Sequence, residues 1–174
     1  MTHRALALAA LVLGALAPFA GSPYRTKREA MDVRQLAAQV AREEDHVTAL
    51  ELAQWIKDRK PRLRVIDLRA EADFEEYHLP RAEWMPLERL LSAPFAKDET
   101  VVLISDGGAH AGQGWVFLRA LGHEQVYFLR GGLGEWLDDV MNPPKTTELS
   151  RYFGGSVRGE GATDDVAKMR RRGC

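Results

Sequence analysis

Three short runs rich in β-branched and aliphatic residues, at 63–68, 101–104 and 126–129, are separated by stretches whose apolar residues recur at helical spacing. That alternation is the strongest constraint on the fold. A strand apolar along its whole length must be buried on both faces, and helices between successive strands are what the crossovers of a parallel sheet require. One helical face is Ala111, Trp115 and Leu118, starting at Ala111 and ending at Gly122; a second is Leu133, Trp136, Leu137 and Val140. Ahead of the first strand, Thr48 and Glu51 have the spacing of a capping box that opens a helix to about Asp58, with Leu52 and Ile56 inward. Pro61 closes it. The chain is therefore expected to be α/β, a single domain with a central parallel β-sheet and helices on both faces. Trp115, Phe117 and Trp136 sit at helical spacing and are expected in its core.

The ends have a different character. Met1-Thr2-His3-Arg4 precedes residues 5–20, a stretch with no charged or polar side chain, which is the layout of a signal peptide or membrane anchor. Ala15-Leu16-Ala17 has the small-x-small form of a cleavage site, but Pro18 directly after it disfavours cleavage, so both a removed signal and a retained anchor stay open. Arg4 on one flank and Arg25, Lys27 and Arg28 on the other leave orientation undecided, with the extracytoplasmic side of a cell envelope as the expected location. The organisation expected is a signal or anchor at 1–22, a helical spacer at 23–45, the domain at 46–143 and a largely flexible tail at 144–174. The spacer carries an apolar stripe of Val33, Leu36, Ala37 and Val40. Asn142-Pro143-Pro144 stops the last helix of the domain. In the tail only 149–155 look ordered by packing, and the basic run at 168–172 reads as a solvated end.

Composition removes several function classes. With 24 basic and 25 acidic residues and a pI near 6.5, the chain lacks the basic excess that nucleic acid binding needs. A single cysteine, Cys174, allows no disulfide within the chain and no Cys-x-x-Cys pair. No set of His, Cys, Asp and Glu has metal spacing, and nothing calls for a cofactor.

Three stretches, in this order, resemble the rhodanese-homology family. They are Val65-Ile66-Asp67-Leu68-Arg69; then Phe74 and His78-Leu79-Pro80-Arg81-Ala82 through to Pro86; then Val101-Val102-Leu103-Ile104-Ser105, with Gly131-Gly132 and Trp136 downstream. The resemblance spans about 46–143 and implies a parallel sheet of about five strands with helices on both sides. It also implies a loop after a central strand where a nucleophilic cysteine begins a ring of inward backbone N–H groups. The next helix closes that ring as an anion cradle. The matching loop here is Ser105-Asp106-Gly107-Gly108-Ala109-His110, in which Gly107 and Gly108 permit the tight curvature. By the same resemblance Ser105 stands at the position of the nucleophile and His110 at that of a closing arginine. Asp67 and Arg69 are implied to be structural supports, His78 orders its own turn, and Trp136 packs behind the loop. Tyr77 and Arg81 stand where glycine is usual, which suggests a bulkier rim.

Sulfur transfer needs a thiolate that holds sulfane sulfur as a persulfide, and a serine hydroxyl does neither. No catalytic residue is therefore expected. His110 is mostly neutral near pH 7 and Asp106 adds negative charge where an anionic donor would need attraction. The expected function is a catalytically inactive rhodanese-like module, tethered or exported, that binds or scaffolds an unknown protein or small-molecule partner through its loop face. The alternative is an enzyme of altered chemistry centred on Ser105. Ser105, His110 and Asp106 or Asp67 are the residue types of acyl transfer, but so short a loop gives the imidazole little freedom to reach the hydroxyl. Use of Cys174 as a thiol brought in by the tail has no supporting geometry.

Overall fold

The computed structural model describes residues 3–16 and 32–159, which fall in two compact units. The first holds α1 (His3–Leu16), on which Leu6, Leu11 and Val12 are exposed. At 1.5 Å per residue it is about 21 Å long, and no helix among the described residues is long and apolar enough to cross a membrane. Residues 17–20 of the apolar run, the basic run at 168–172 and Cys174 lie outside the described residues.

The second unit is the α/β domain. Its elements are α2 (Val33–Ala41), β1 (His46–Val47), α3 (Ala49–Lys57), β2 (Leu63–Asp67), α4 (Glu71–Glu76), β3 (Ala82–Trp84), α5 (Leu87–Leu90) and β4 (Thr100–Ile104). There follow α6 (Ala109–Ala120), β5 (Val126–Leu129), α7 (Gly132–Trp136) running into a π-helical turn (Leu137–Met141), and α8 (Glu148–Tyr152). The strands form one sheet in the order β1-β5-β4-β2-β3, and every pair is parallel. All five residues of β4 are buried, as its position at the centre of the sheet demands. Its side chains alternate: Val102 and Ile104 join one core with Leu52, Ile56, Leu133, Trp136 and Val140, while Val101 and Leu103 join a second with Leu90, Ala111, Trp115 and Leu118. The expected parallel sheet covered on both faces is thus the observed one.

Thr48 caps α3 as its spacing predicts, accepting from the Glu51 N–H at 3.2 Å while the Glu51 carboxylate accepts from the Thr48 N–H at 2.9 Å. The edge strands β1 and β3, at two and three residues, are too short to show a period in the sequence. Two expectations need correction. α6 begins at Ala109 rather than Ala111, because Gly108 at φ 90° turns the chain into the helix two residues early. Phe117, expected in the core, is 41% exposed on the outer face of α6. The helical segment at 33–41 meets the domain through part of its stripe: Leu36 packs into the second core and Arg119 Nη2 donates to Gln39 Oε1 at 3.1 Å, leaving Val33, Ala37 and Val40 outward. The segment of the tail read as ordered by packing, 149–155, is built into the fold. α8 packs on α3 and the π turn, Lys57 pairs with Glu148, and Phe153 meets the Trp136 ring edge-on at 5.1 Å.

Candidate functional site

From β2 the chain moves outward to β3, then returns to place β4 on the other side of β2, so the direction of winding reverses between these two neighbours. Where that happens the connections leave the C-terminal strand ends in opposite directions and open a crevice, the usual site position in open α/β sheets. Asp67 and Ile104 are register partners at the ends of β2 and β4. The segments that follow them, Leu68-Arg69 and the loop starting at Ser105, therefore meet in that crevice.

Ser105 is 2% exposed, and its Oγ accepts two backbone hydrogen bonds, from Gly108 N–H at 3.1 Å and Ala111 N–H at 3.3 Å. These are donors of the loop and of the first turn of α6, so the serine's own side chain engages two of the backbone amides there. The loop is also held from outside. Leu133 N–H donates to the Ser105 carbonyl at 2.9 Å and Gly134 N–H to the Asp106 carbonyl at 3.3 Å. That clamp requires the backbone of α7 to come very close: a Cβ on Gly132, which has φ +58°, would lie 2.1 Å from the Ser105 carbonyl oxygen. Gly131-Gly132 is thus a sequence signal for the site, and its meaning is close approach. Gly107, Ala109 and His110 form the exposed rim, with Gly108 buried beneath. His110 is not among the hydrogen-bond partners of Ser105 Oγ, which are both main-chain amides.

The guanidinium that follows β2, that of Arg69, is already paired. Asp67, fully buried, accepts from Arg69 Nε and Nη2 and from the Arg69 backbone N–H at 2.8–3.2 Å. Arg69 Nη2 also donates to the Tyr77 carbonyl at 2.6 Å, and Nη1 lies 3.9 Å from Asp106 Oδ1. Trp84 Nε1 donates to the Arg69 carbonyl at 3.0 Å and completes the support. Burial holds the Asp106 carboxyl above the ordinary aspartate range; Arg69 opposes the rise, Asp73 and Asp67 reinforce it, and His110 opposes it again. Among the described residues, no three His, Cys, Asp or Glu cluster as metal ligands.

His78 Nδ1 donates to the Phe74 carbonyl at 2.9 Å and its ring stacks on Phe74, 4.1 Å between centroids, within its own turn. Tyr77, expected on the rim, turns inward instead. It packs against the first core, its hydroxyl accepts from Trp136 Nε1 at 3.1 Å, and burial pushes its phenol pKa up. Arg81 is exposed with φ +67°, so the chain adopts there the left-handed conformation that glycine takes without strain. Sequence reasoning missed Trp84 and the inward role of Tyr77, because both depend on partners distant along the chain.

Comparison with known proteins places this geometry. A curated relative, a probable 3-mercaptopyruvate sulfurtransferase of Pseudomonas aeruginosa, is 33% identical over 125 residues, covering 52% of this chain and 43% of the relative. The chain thus spans less than half the length of that protein. Two solved structures superpose with a TM-score of 0.50: a Bacillus halodurans protein, 20% identical over 72% of this chain and 85% of its own, and a "Possible Tyrosine Phosphatase" of unknown function from Rhodopseudomonas palustris, 17% identical over 79% and 100%. At these identities the structures speak to the fold alone. The family profile of the rhodanese-like domain matches residues 48–139, more than half of the chain, running from α3 into the π turn and taking in strands β2 to β5, and the chain belongs to the rhodanese-like domain family.

Proposed function

We propose that this protein is a rhodanese-like module without sulfurtransferase activity, in which Ser105 stands where the family's chemistry needs a cysteine. The observation that carries this reading is the occupancy of the cradle. Ser105 Oγ consumes the Gly108 and Ala111 amides, so these donors are not free to hold an anionic sulfur donor. Electrostatics point the same way: Arg69 is bound up with Asp67, and Asp106 lies beside it, so a dianion such as thiosulfate meets carboxylates rather than a free cation. A serine hydroxyl without a base remains protonated and forms no persulfide. What the loop offers instead is an exposed surface of Gly107, Ala109 and His110, on a scaffold pinned by α7, suited to holding a protein or small-molecule partner. The uncharged run at 5–20, with Arg4 before it, supports delivery to the cell envelope as an anchored or exported protein.

Thiosulfate-to-cyanide transfer tests the reading. The unaltered chain should show none above background, and Cys174→Ala should change nothing. Ser105→Cys supplies a thiol at a helix N-terminus, where its pKa is lowered. Adding His110→Arg supplies a permanent cation, so the double variant should exceed the single one. Transfer by the unaltered chain that vanishes in Ser105→Ala overturns the proposal; transfer that vanishes only in Cys174→Ala moves the active thiol to the tail.

A further inference from the structure

A second concavity lies at the opposite end of the sheet from the Ser105 loop. It has a volume of about 520 Å³ and is lined by Ile56, Arg59, Pro80, Arg81, Tyr152 and Phe153. Arg59 comes before β2 and Pro80-Arg81 directly before β3, whereas Ser105 follows the end of β4; in an all-parallel sheet these are opposite ends. The volume is that of a small-molecule pocket, roughly 300–1,000 Å³.

Its chemistry is specific. The apolar side is aromatic: Tyr152 and Phe153 meet edge-on at 4.8 Å, and Tyr152 is 55% exposed. The polar side is cationic and uncompensated. Among the described residues no hydrogen bond or ion pair engages the guanidinium of Arg59 or Arg81, and both side chains are exposed. Carboxylates close by in the chain are engaged elsewhere: Glu148 pairs with Lys57, and Asp58 accepts from Gln54 Nε2 at 2.8 Å. Both arginines also hold left-handed backbone, at φ +52° and +67°. Glycine would fit there without strain, yet both positions carry a long cationic side chain into the lining of one groove.

We propose that this groove binds an organic anion of the aryl-alkanoate type. Its carboxylate is taken by Arg59 and Arg81, and its aromatic body lies along Tyr152 and Phe153. Guanidinium and carboxylate match in planar, paired hydrogen bonding, and an aromatic wall next to them suits a ligand with one charged and one apolar end. The site is independent of any chemistry at Ser105.

Calorimetric titration of the full chain with phenylbutanoate, and with phenylbutanol as its uncharged analogue, tests this, with amide chemical shifts locating the site. The acid should bind saturably at one site and shift the amides of Arg81 and Tyr152, and the alcohol should bind about tenfold or more weakly. Arg81→Glu should weaken the acid by more than about tenfold. Arg81→Gly removes the guanidinium while relieving the backbone, so it preserves the fold and should weaken the acid about tenfold without affecting the alcohol. No saturable binding up to millimolar acid, equal affinity for acid and alcohol, or undiminished binding in a folded Arg81→Gly chain each overturns the proposal.

Discussion

Ser105→Ala deletes one oxygen and measures what that oxygen does in the loop. The Oγ accepts from the Gly108 and Ala111 amides at 3.1 and 3.3 Å, and neither amide has a backbone acceptor. Ser105, Gly108 and Ala111 are all buried, so the variant strands two donors out of bulk solvent. A buried donor left unsatisfied costs about 1–3 kcal/mol. The rim at Gly107 and Ala109 is exposed, which lets water reach the loop from one side and places each cost at the low end of that range. The expected loss is therefore about 2–3 kcal/mol in total. In a domain of this size that lowers Tm by roughly 6–12 °C. Urea unfolding of the full chain, followed by tryptophan fluorescence, should show a lower midpoint with an unchanged slope. Hydrogen exchange should accelerate at Gly108 and Ala111 beyond the global change. A loss below about 0.5 kcal/mol, with exchange at those two amides unaltered, would refute the reasoning, because the hydroxyl would then not be what satisfies the cradle.

Three further outcomes follow from the same geometry. Trp136→Ala should cost about 3–5 kcal/mol by denaturant titration, while Trp136→Phe, which keeps most of the packing and loses only the bond to the Tyr77 hydroxyl, should cost far less; equal losses would mean that packing is not what Trp136 supplies. Gly132→Ala forces a Cβ to within 2.1 Å of the Ser105 carbonyl in a left-handed backbone, so stability should fall by more than about 3 kcal/mol or the chain should fail to fold. Asp106 has a folded pKa raised chiefly by burial, so its ionisation works against the fold: the favourable contribution of its neutral form is present at acid pH and lost as pH rises through the raised value. Asp106→Asn should accordingly be more stable than the unaltered chain at pH 7, with the gap closing below the ordinary aspartate value of 3.8, as read from urea midpoints across pH. A gap that widens toward acid would reverse the assigned sign.

The central strands and the α3 cap are legible in the sequence because their causes are local. β4 is covered on both faces, so its run at 101–104 is apolar at every position, and composition alone marks it. Thr48 and Glu51 satisfy each other across three residues, and no distant element is needed. The resemblance places Ser105, Gly131-Gly132 and Asp67-Arg69 in one site, but what each does there was decided by tertiary contact. Helical spacing puts Phe117 on a face without saying whether anything covers that face, and the structure leaves it open. Tyr77 reads as a bulky rim residue until Trp136, 59 residues away, offers its indole N–H and draws the ring inward. The edge strands β1 and β3 exist only because β5 and β2 supply backbone partners. The engagement of the Gly108 and Ala111 amides by Ser105 Oγ is of the same kind. A sequence specifies which side chain stands at a position, whereas the hydrogen bonds it accepts depend on backbone amides that only the turn at Gly108 and the clamp from α7 bring within reach.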